Sequence, residues 1–265
     1  MQVRTEQQAL EFINDVGFCF AFKAHQSELP CLWHAACGER HPVMPHHTHH
    51  DPYINLVWEA KDTLVSSRKI YYGKALKKRP TMISLEYFPY FYVLSGNGGE
   101  SDTYRAQYLR GELSTAAKRI MDALLERSPQ ITRDLKLASG YSHPHQRYEF
   151  DQGMDELQMN MYILKIAEFY DPFTFLWELV PRRFPEEVKQ AGHISLEEAR
   201  EKILTKYFEN LIVSNAVLIE RLFGWGKATI ERHLQTLVQK GVITSEVEVE
   251  GEKGTWFAIE GKKGS

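Results

Sequence analysis

Histidines crowd one short stretch of the chain, where His46, His47, His49 and His50 stand just before Asp51-Pro52 in PHHTHHDPYINLVWEAKD. An imidazole can ligate a metal or carry a proton near neutral pH, so the spacing has to decide which chemistry is open. Four histidines this close in sequence cannot all reach one tetrahedral ion. His47 and His49, in an extended segment, could supply two ligands, but no cysteine or acidic residue stands at matching spacing to complete the set. The expectation is a loop without a functional metal or other cofactor, leading into a helix. Asp51 suits the cap because its carboxylate accepts from free amides, and Pro52 is preorganised for the first helical position. The same position also suits a group that faces an anionic ligand. The helix is expected from Pro52 to about Lys69, with Ile54, Val57, Leu64 and Val65 inward.

The densest basic segment follows, with Arg68, Lys69, Lys74, Lys77, Lys78 and Arg79 interleaved with Tyr71 and Tyr72. Cations among aromatic rings suit a nucleic-acid backbone with exposed bases or grooves, and a solvated helical face is the alternative. The segment TMISLEYFPYFYVLSG reads as a strand over Thr81 to Ile83 and a helix capped by Ser84 and kinked by Pro89. Its aromatic residues are too many for one stripe, so most belong in a core, with one or two left to line a pocket.

The elements that position these groups show an internal repeat in the second half. Phe150, Met154, Leu157, Ile163 and Trp177 are matched by Ile230, Leu234, Leu237, Ile243 and Trp256, with identical spacing over the first four positions. In each copy a helical stripe leads to a strand, a turn and a second strand carrying the tryptophan. Two further helices precede each copy: Leu113 to Arg127 and Ile131 to Ser139 before the first, Ser195 to Leu211 and Asn215 to Phe223 before the second. Ser114 and Ser195 are the expected caps of the longer pair, with Glu198 completing a capping box, and Gly140 and Gly224 are expected stops. Three helices and a hairpin, twice, predict an α+β, mostly helical fold of tandem winged-helix (winged helix-turn-helix) domains. The expected division is an N-terminal domain with the basic segment over 1–110, a winged helix over 111–185 and a C-terminal winged helix over 186–265.

Winged helices commonly lay the third helix in the major groove. In the second copy that helix offers Lys227 and Arg232. In the first, Arg147 is set against Glu149, Asp151 and Asp155, which repel phosphates. Glu246, Glu248 and Glu250 are expected along one face of the last hairpin, a poor clamp for a phosphate backbone. The formal net charge of -3 over 265 residues argues weakly against a partner held by bulk charge alone. The three cysteines, Cys19, Cys31 and Cys37, form no paired motif, which fits a reducing cytoplasm. No basic-then-apolar leader and no membrane-length apolar run is present, so a membrane is not an expected partner.

Three segments, YINLVWEAKDTL (Tyr53 to Leu64), SLEYFPYFYVL (Ser84 to Leu94) and WELVPRRFP (Trp177 to Pro185), together with the repeated units, resemble the AlkZ-like winged-helix DNA glycosylases. The resemblance implies tandem winged helices forming a concave surface for duplex DNA and metal-independent hydrolysis of the N-glycosidic bond of alkylated bases, a DNA-repair activity. The family's Gln-x-Gln or Gln-x-Asp motif, which positions the water, falls here on His50 and Pro52 with Asp51 between. The resemblance therefore leaves His50 and Asp51 as the candidate catalytic groups, with Tyr53 and Trp58 as candidate walls for an extruded base. Lys227 and Arg232 join the six residues of the basic segment as candidate DNA contacts. A small-molecule substrate is not expected, and a non-enzymatic transcriptional regulator or an interaction scaffold is the alternative.

Overall fold

Helix, strand, helix, helix, strand, strand is the order in which the chain begins, and it recurs twice. The computed structural model describes residues 2–22, 29–39, 42–97 and 103–261. The first unit comprises α1 (Glu6–Val16), β1 (Phe18–Phe20), α2 (Leu32–Cys37), α3 (Pro52–Ser66), β2 (Ile70–Leu76) and β3 (Arg79–Ser84). After the connecting α4 (Phe88–Leu94) and α5 (Thr103–Leu109), the second comprises α6 (Thr115–Glu126), β4 (Gln130–Ile131), α7 (Thr132–Ala138), α8 (Arg147–Met159), β5 (Ile163–Tyr170) and β6 (Phe173–Leu179). Short α9 (Val180–Arg183) and α10 (Pro185–Ala191) lead to the third: α11 (Leu196–Leu211), β7 (Val213–Ser214), α12 (Ala216–Phe223), α13 (Lys227–Gln239), β8 (Ile243–Val247) and β9 (Trp256–Ile259). Among the described residues each unit has one three-stranded antiparallel sheet, with the last strand in the middle: β1-β3-β2, β4-β6-β5 and β7-β9-β8.

All ten residues of the predicted repeat are buried. A third copy stands in the first unit, where Val57, Leu64 and Ile70 take the places of Phe150, Leu157 and Ile163 and are fully buried. The link from helix to strand is the same in all three units. The amides of Lys69, Tyr162 and Val242 each reach back to the carbonyls of Leu64, Leu157 and Leu237 at 2.9 Å. Each helix thus ends in a left-handed turn, at Arg68 (φ 58°), Met161 (φ 52°) and Gly241 (φ 67°). Only the third unit places a glycine there, where the absent Cβ removes the steric penalty.

The caps follow the sequence, save that Glu198 gives Ser195 only its amide and closes no capping box. Ser114, Ser195 and Asn215 each accept from an amide of the first turn, and Gly224 takes the left-handed position after α12. Four expectations need correction. The third helix stops at Ser66 rather than Lys69, because the turn at Arg68 ends it. Ser84 caps nothing: it closes β3, and α4 begins after Tyr87 without a side-chain cap. Pro89 lies in the first turn of α4, where a missing N–H costs no hydrogen bond, so it does not kink the helix. β8 ends at Val247, so Glu248 and Glu250 lie in the loop beyond it and not on a strand face, while the side chain of Glu246 lies outside the described set.

Two apolar clusters stand out among the described residues. One runs through the first and third units and takes in Met161 and Leu164 of the second, with Phe18 6.1 Å from Tyr87 and 6.4 Å from Phe223 between ring centroids. The other lies wholly within 104–179. No helix among the described residues is long and apolar enough to cross a membrane.

Candidate functional site

The histidine stretch folds as a short 3-10 turn over Thr48–His50, directly before α3. Asp51 Oδ1 accepts from the amides of Tyr53 at 3.0 Å and Ile54 at 2.8 Å. One carboxylate oxygen is thereby committed to the helix start. His46, His47, His49 and His50 are all exposed. Among the described residues no three His, Cys, Asp or Glu side chains come close enough together to hold a metal ion. The imidazole packed on Trp58 is that of His49 (ring centroids 5.2 Å apart), and the Asn55 side-chain amide donates to the His49 carbonyl at 3.4 Å. Sequence spacing did not show that His49 rather than a neighbour would pack on Trp58, because the turn before Asp51 decides which ring folds back onto the helix.

Trp58 is half-buried, with Phe22 on it at 6.4 Å, while Tyr53 is exposed on the first turn of α3. Five residues apart on a helix, the two point in different directions, so they do not form two walls of one pocket. Cys37 lies near this turn, and its thiol is pushed up to about 11 by burial and then by the charge of Asp51.

The basic segment is not one patch. Its residues lie on β2, the two turns beside it and the start of β3, so Arg68 and Lys69 sit at one end of the β2 strand and Lys77, Lys78 and Arg79 at the other, roughly 25 Å of extended chain apart. Lys74, between them, is ion-paired with Asp155 of α8. The Arg79 guanidinium lies over the Phe20 ring at 4.0 Å. Phe20 carries Arg79 and Phe22 packs on Trp58, so one short segment touches both the basic hairpin and the tryptophan beside the histidine turn. In the third unit Lys227 pairs with Glu231 at 3.8 Å and Arg232 with Glu197 at 2.9 Å, so neither is an unopposed charge.

A cleft of about 610 Å³ opens between the first hairpin and the second unit, lined by Tyr72, Lys74, Phe150, Lys165, Phe175 and Trp177 among others. His50, Asp51 and Trp58 are not in its lining. Beside it lies a buried ionic cluster in which Glu168 accepts from both Lys61 and Lys165, and Asp62 lies 2.8 Å from Lys61. The two ammonium groups hold the Glu168 carboxyl below its ordinary value against the effect of burial. Lys165 is lowered by burial and by the charge of Lys61, while contact with the two carboxylates holds Lys61 raised. A lysine inside an apolar helical stripe carries no sequence signal for such a partner, because Glu168 is remote in the chain.

The architecture places the protein in a known class of fold. It is similar to the Streptomyces sahachiroi DNA glycosylase AlkZ, with a TM-score of 0.60 over 98% of this chain and 12% identical residues. The chain spans 65% of the length of that protein. No curated protein sequence matches it. The AlkZ-related family matches residues 3–224, most of the chain, and the chain belongs to that family. The matched region ends at Gly224, so α13 and the third hairpin lie beyond it.

Proposed function

We propose that this protein binds duplex DNA through tandem winged-helix units, divided near 1–110, 111–185 and 186–265, and that it excises alkylated bases. The observation that supports this most is the likeness to a DNA glycosylase over 98% of the chain. The repeated order of three helices and a hairpin, now found in three copies, agrees with winged helices. Hydrolysis of an N-glycosidic bond needs stabilisation of an oxocarbenium-like sugar and a group that positions or activates water. Asp51 Oδ2, the oxygen that accepts no bond from the helix, would face the developing positive charge, and His50 would take the proton from water. No metal enters this scheme. Lys77, Lys78 and Arg79, and at the far end of the strand Arg68 and Lys69, would meet phosphates.

A second reading, DNA binding without excision, is favoured by the engagement of Asp51 in the cap. Both readings predict salt-dependent binding to duplex DNA. With ~4 phosphates neutralised, log affinity falls against log salt with a slope of roughly -3 to -4, and charge reversal at Lys77, Lys78 and Arg79 flattens it. Substitution of Glu248 and Glu250 leaves the slope as it was. Release of an alkylated base from duplex DNA, measured by chromatography, separates the two. Salt-independent affinity would overturn both and favour an interaction scaffold.

A further inference from the structure

The second hairpin differs from the others in what it exposes. Phe169, Tyr170 and Phe173 crowd its tip at 46%, 69% and 61% exposure. From that tip a line of rings runs inward along one face of β6, because residues two apart on a strand share a face. Phe173 stands 5.1 Å from Phe175, and Phe175 5.8 Å from Trp177, between centroids. Tyr170, the cross-strand partner of Phe173, adds a fourth ring at 6.1 Å and is tethered by its hydroxyl, which donates to Asp62 Oδ2 at 3.1 Å. The inner end is fixed as well, since the Trp177 indole donates to Thr132 Oγ1 at 3.0 Å.

Cations stand on and beside this line. Lys165 Nζ lies 4.4 Å from the Phe175 centroid, and Lys136 Nζ 5.0 Å from that of Phe150. With Lys74 and Arg147 they give the cleft four cationic side chains against two acidic ones, Asp151 and Asp155, in a chain whose net charge is -3. Those acids hold two of the cations in place, Asp155 on Lys74 and Asp151 on Arg147, and Glu168 behind the cleft holds Lys165, so among the described residues Lys136 is the cation of the four that no carboxylate pairs. An apolar tip alone would suit a bilayer or a protein groove. A row of rings that gains positive charge as it enters a cleft suits a chain whose repeat pairs an aromatic face with an anion.

We propose that the β5–β6 hairpin is a stacking track for unpaired nucleotides of a DNA strand, with bases against Phe173 and Phe175 and phosphates drawn toward Lys136, Lys74 and Arg147. The track rests on the DNA-binding reading above but uses different residues. It gives the protein a reason to prefer duplexes with an opened or distorted segment. The pairing of Tyr170 with Asp62 keeps the rings in place before the strand arrives, which lowers the ordering cost of binding.

Fluorescence anisotropy with the full chain tests this, using a labelled oligothymidine, a fully paired duplex and the same duplex with a central unpaired bubble. Phe173→Ala is expected to weaken binding of the oligothymidine and the bubble by roughly 5- to 100-fold, the range of one lost base–ring stack, and to change the paired duplex by less than about twofold. Phe175→Leu, which keeps an apolar side chain but removes the ring, is expected to act in the same direction. Lys136→Gln is expected to shallow the salt dependence for the oligothymidine. Phe173 is exposed, so its melting curve stays that of the wild type and loss of fold does not confuse the result. Equal weakening of all three DNAs, or none, would overturn the track while leaving duplex binding intact. Absence of binding to every DNA would overturn the track and the DNA reading together. Wild-type binding to phosphatidylserine vesicles that Phe173→Ala abolishes, without binding to the oligothymidine, would replace the track with a membrane contact.

Discussion

Asp51 can serve its helix and a reaction at once only because a carboxylate has two oxygens. Asparagine keeps the capping oxygen and removes the charge, whereas alanine removes both. Asp51→Asn is therefore expected to leave the melting temperature almost unchanged, and Asp51→Ala to cost about 1 kcal/mol in denaturant unfolding. If the carboxylate acts on the sugar, Asp51→Asn also abolishes base release with DNA affinity intact. Base release at the wild-type rate in both Asp51→Asn and His50→Ala would move the chemistry away from this turn. The cap was legible in the sequence because Asp-Pro before an apolar run is a local signal. The His49–Trp58 contact was not, because it depends on how the preceding turn places neighbouring rings, a matter of backbone angles rather than of residue type.

At the scale of elements, the two apolar stripes of the second half were readable because every repeated position is a hydrophobic residue. The first-unit copy was hidden by two departures: its hairpin carries no tryptophan, and Lys61 occupies the place of Met154 and Leu234, buried at 5% exposure. A charged residue inside a stripe looks like the edge of that stripe until its partner, Glu168 of β5, comes into view. The layout of the basic segment was not legible for a related reason, since a charge-rich run does not announce whether it is helix or strand, and a strand carries its two ends far apart. The C-terminus of the same α3 helix yields two tests. Arg68 holds a left-handed conformation that costs a non-glycine residue roughly 1–2 kcal/mol, partly offset by the greater backbone entropy glycine loses on folding. Arg68→Gly is expected to raise stability by a few tenths to about 1 kcal/mol, and, if Arg68 meets a phosphate, to lower DNA affinity in the same protein. Arg183, which sequence reading passed over inside WELVPRRFP, donates at 2.7 Å to the carbonyls of both Val65 and Ser66. Arg183→Met leaves those acceptors without a donor, and a loss of about 2–4 kcal/mol is expected in urea unfolding.

For the molecule as a whole, acid is expected to loosen the third unit before the ionic cluster. His233 of α13 is buried at 1% exposure, and Nε2 lies 3.2 Å from Glu197 Oε2 without the geometry of a hydrogen bond. Burial lowers its pKa most, Glu197 opposes that shift, and Arg232 and Arg200 add to it. The folded state thus holds the imidazole neutral while the unfolded chain binds a proton near the ordinary value of 6.5. Its stability contribution is complete above that value and declines as pH falls through it toward the lower folded pKa. Glu168, also lowered in the folded state, loses its contribution only below the ordinary carboxylate value of 4.5. A melting series across this range is expected to show the first decline near pH 6.5, and His233→Leu is expected to remove it while keeping the second. The two apolar clusters carry a consequence for how the chain is made. The middle unit closes most of its core with residues from 104–179, all but Met161 and Leu164, so that part can form soon after they leave the ribosome. The first unit shares its cluster with Tyr207, Phe208 and Ile219, and Asn210 donates at 2.8 Å to the carbonyl of Val16. The face of the opening segment that meets the third unit therefore stays uncovered through the synthesis of nearly two hundred residues.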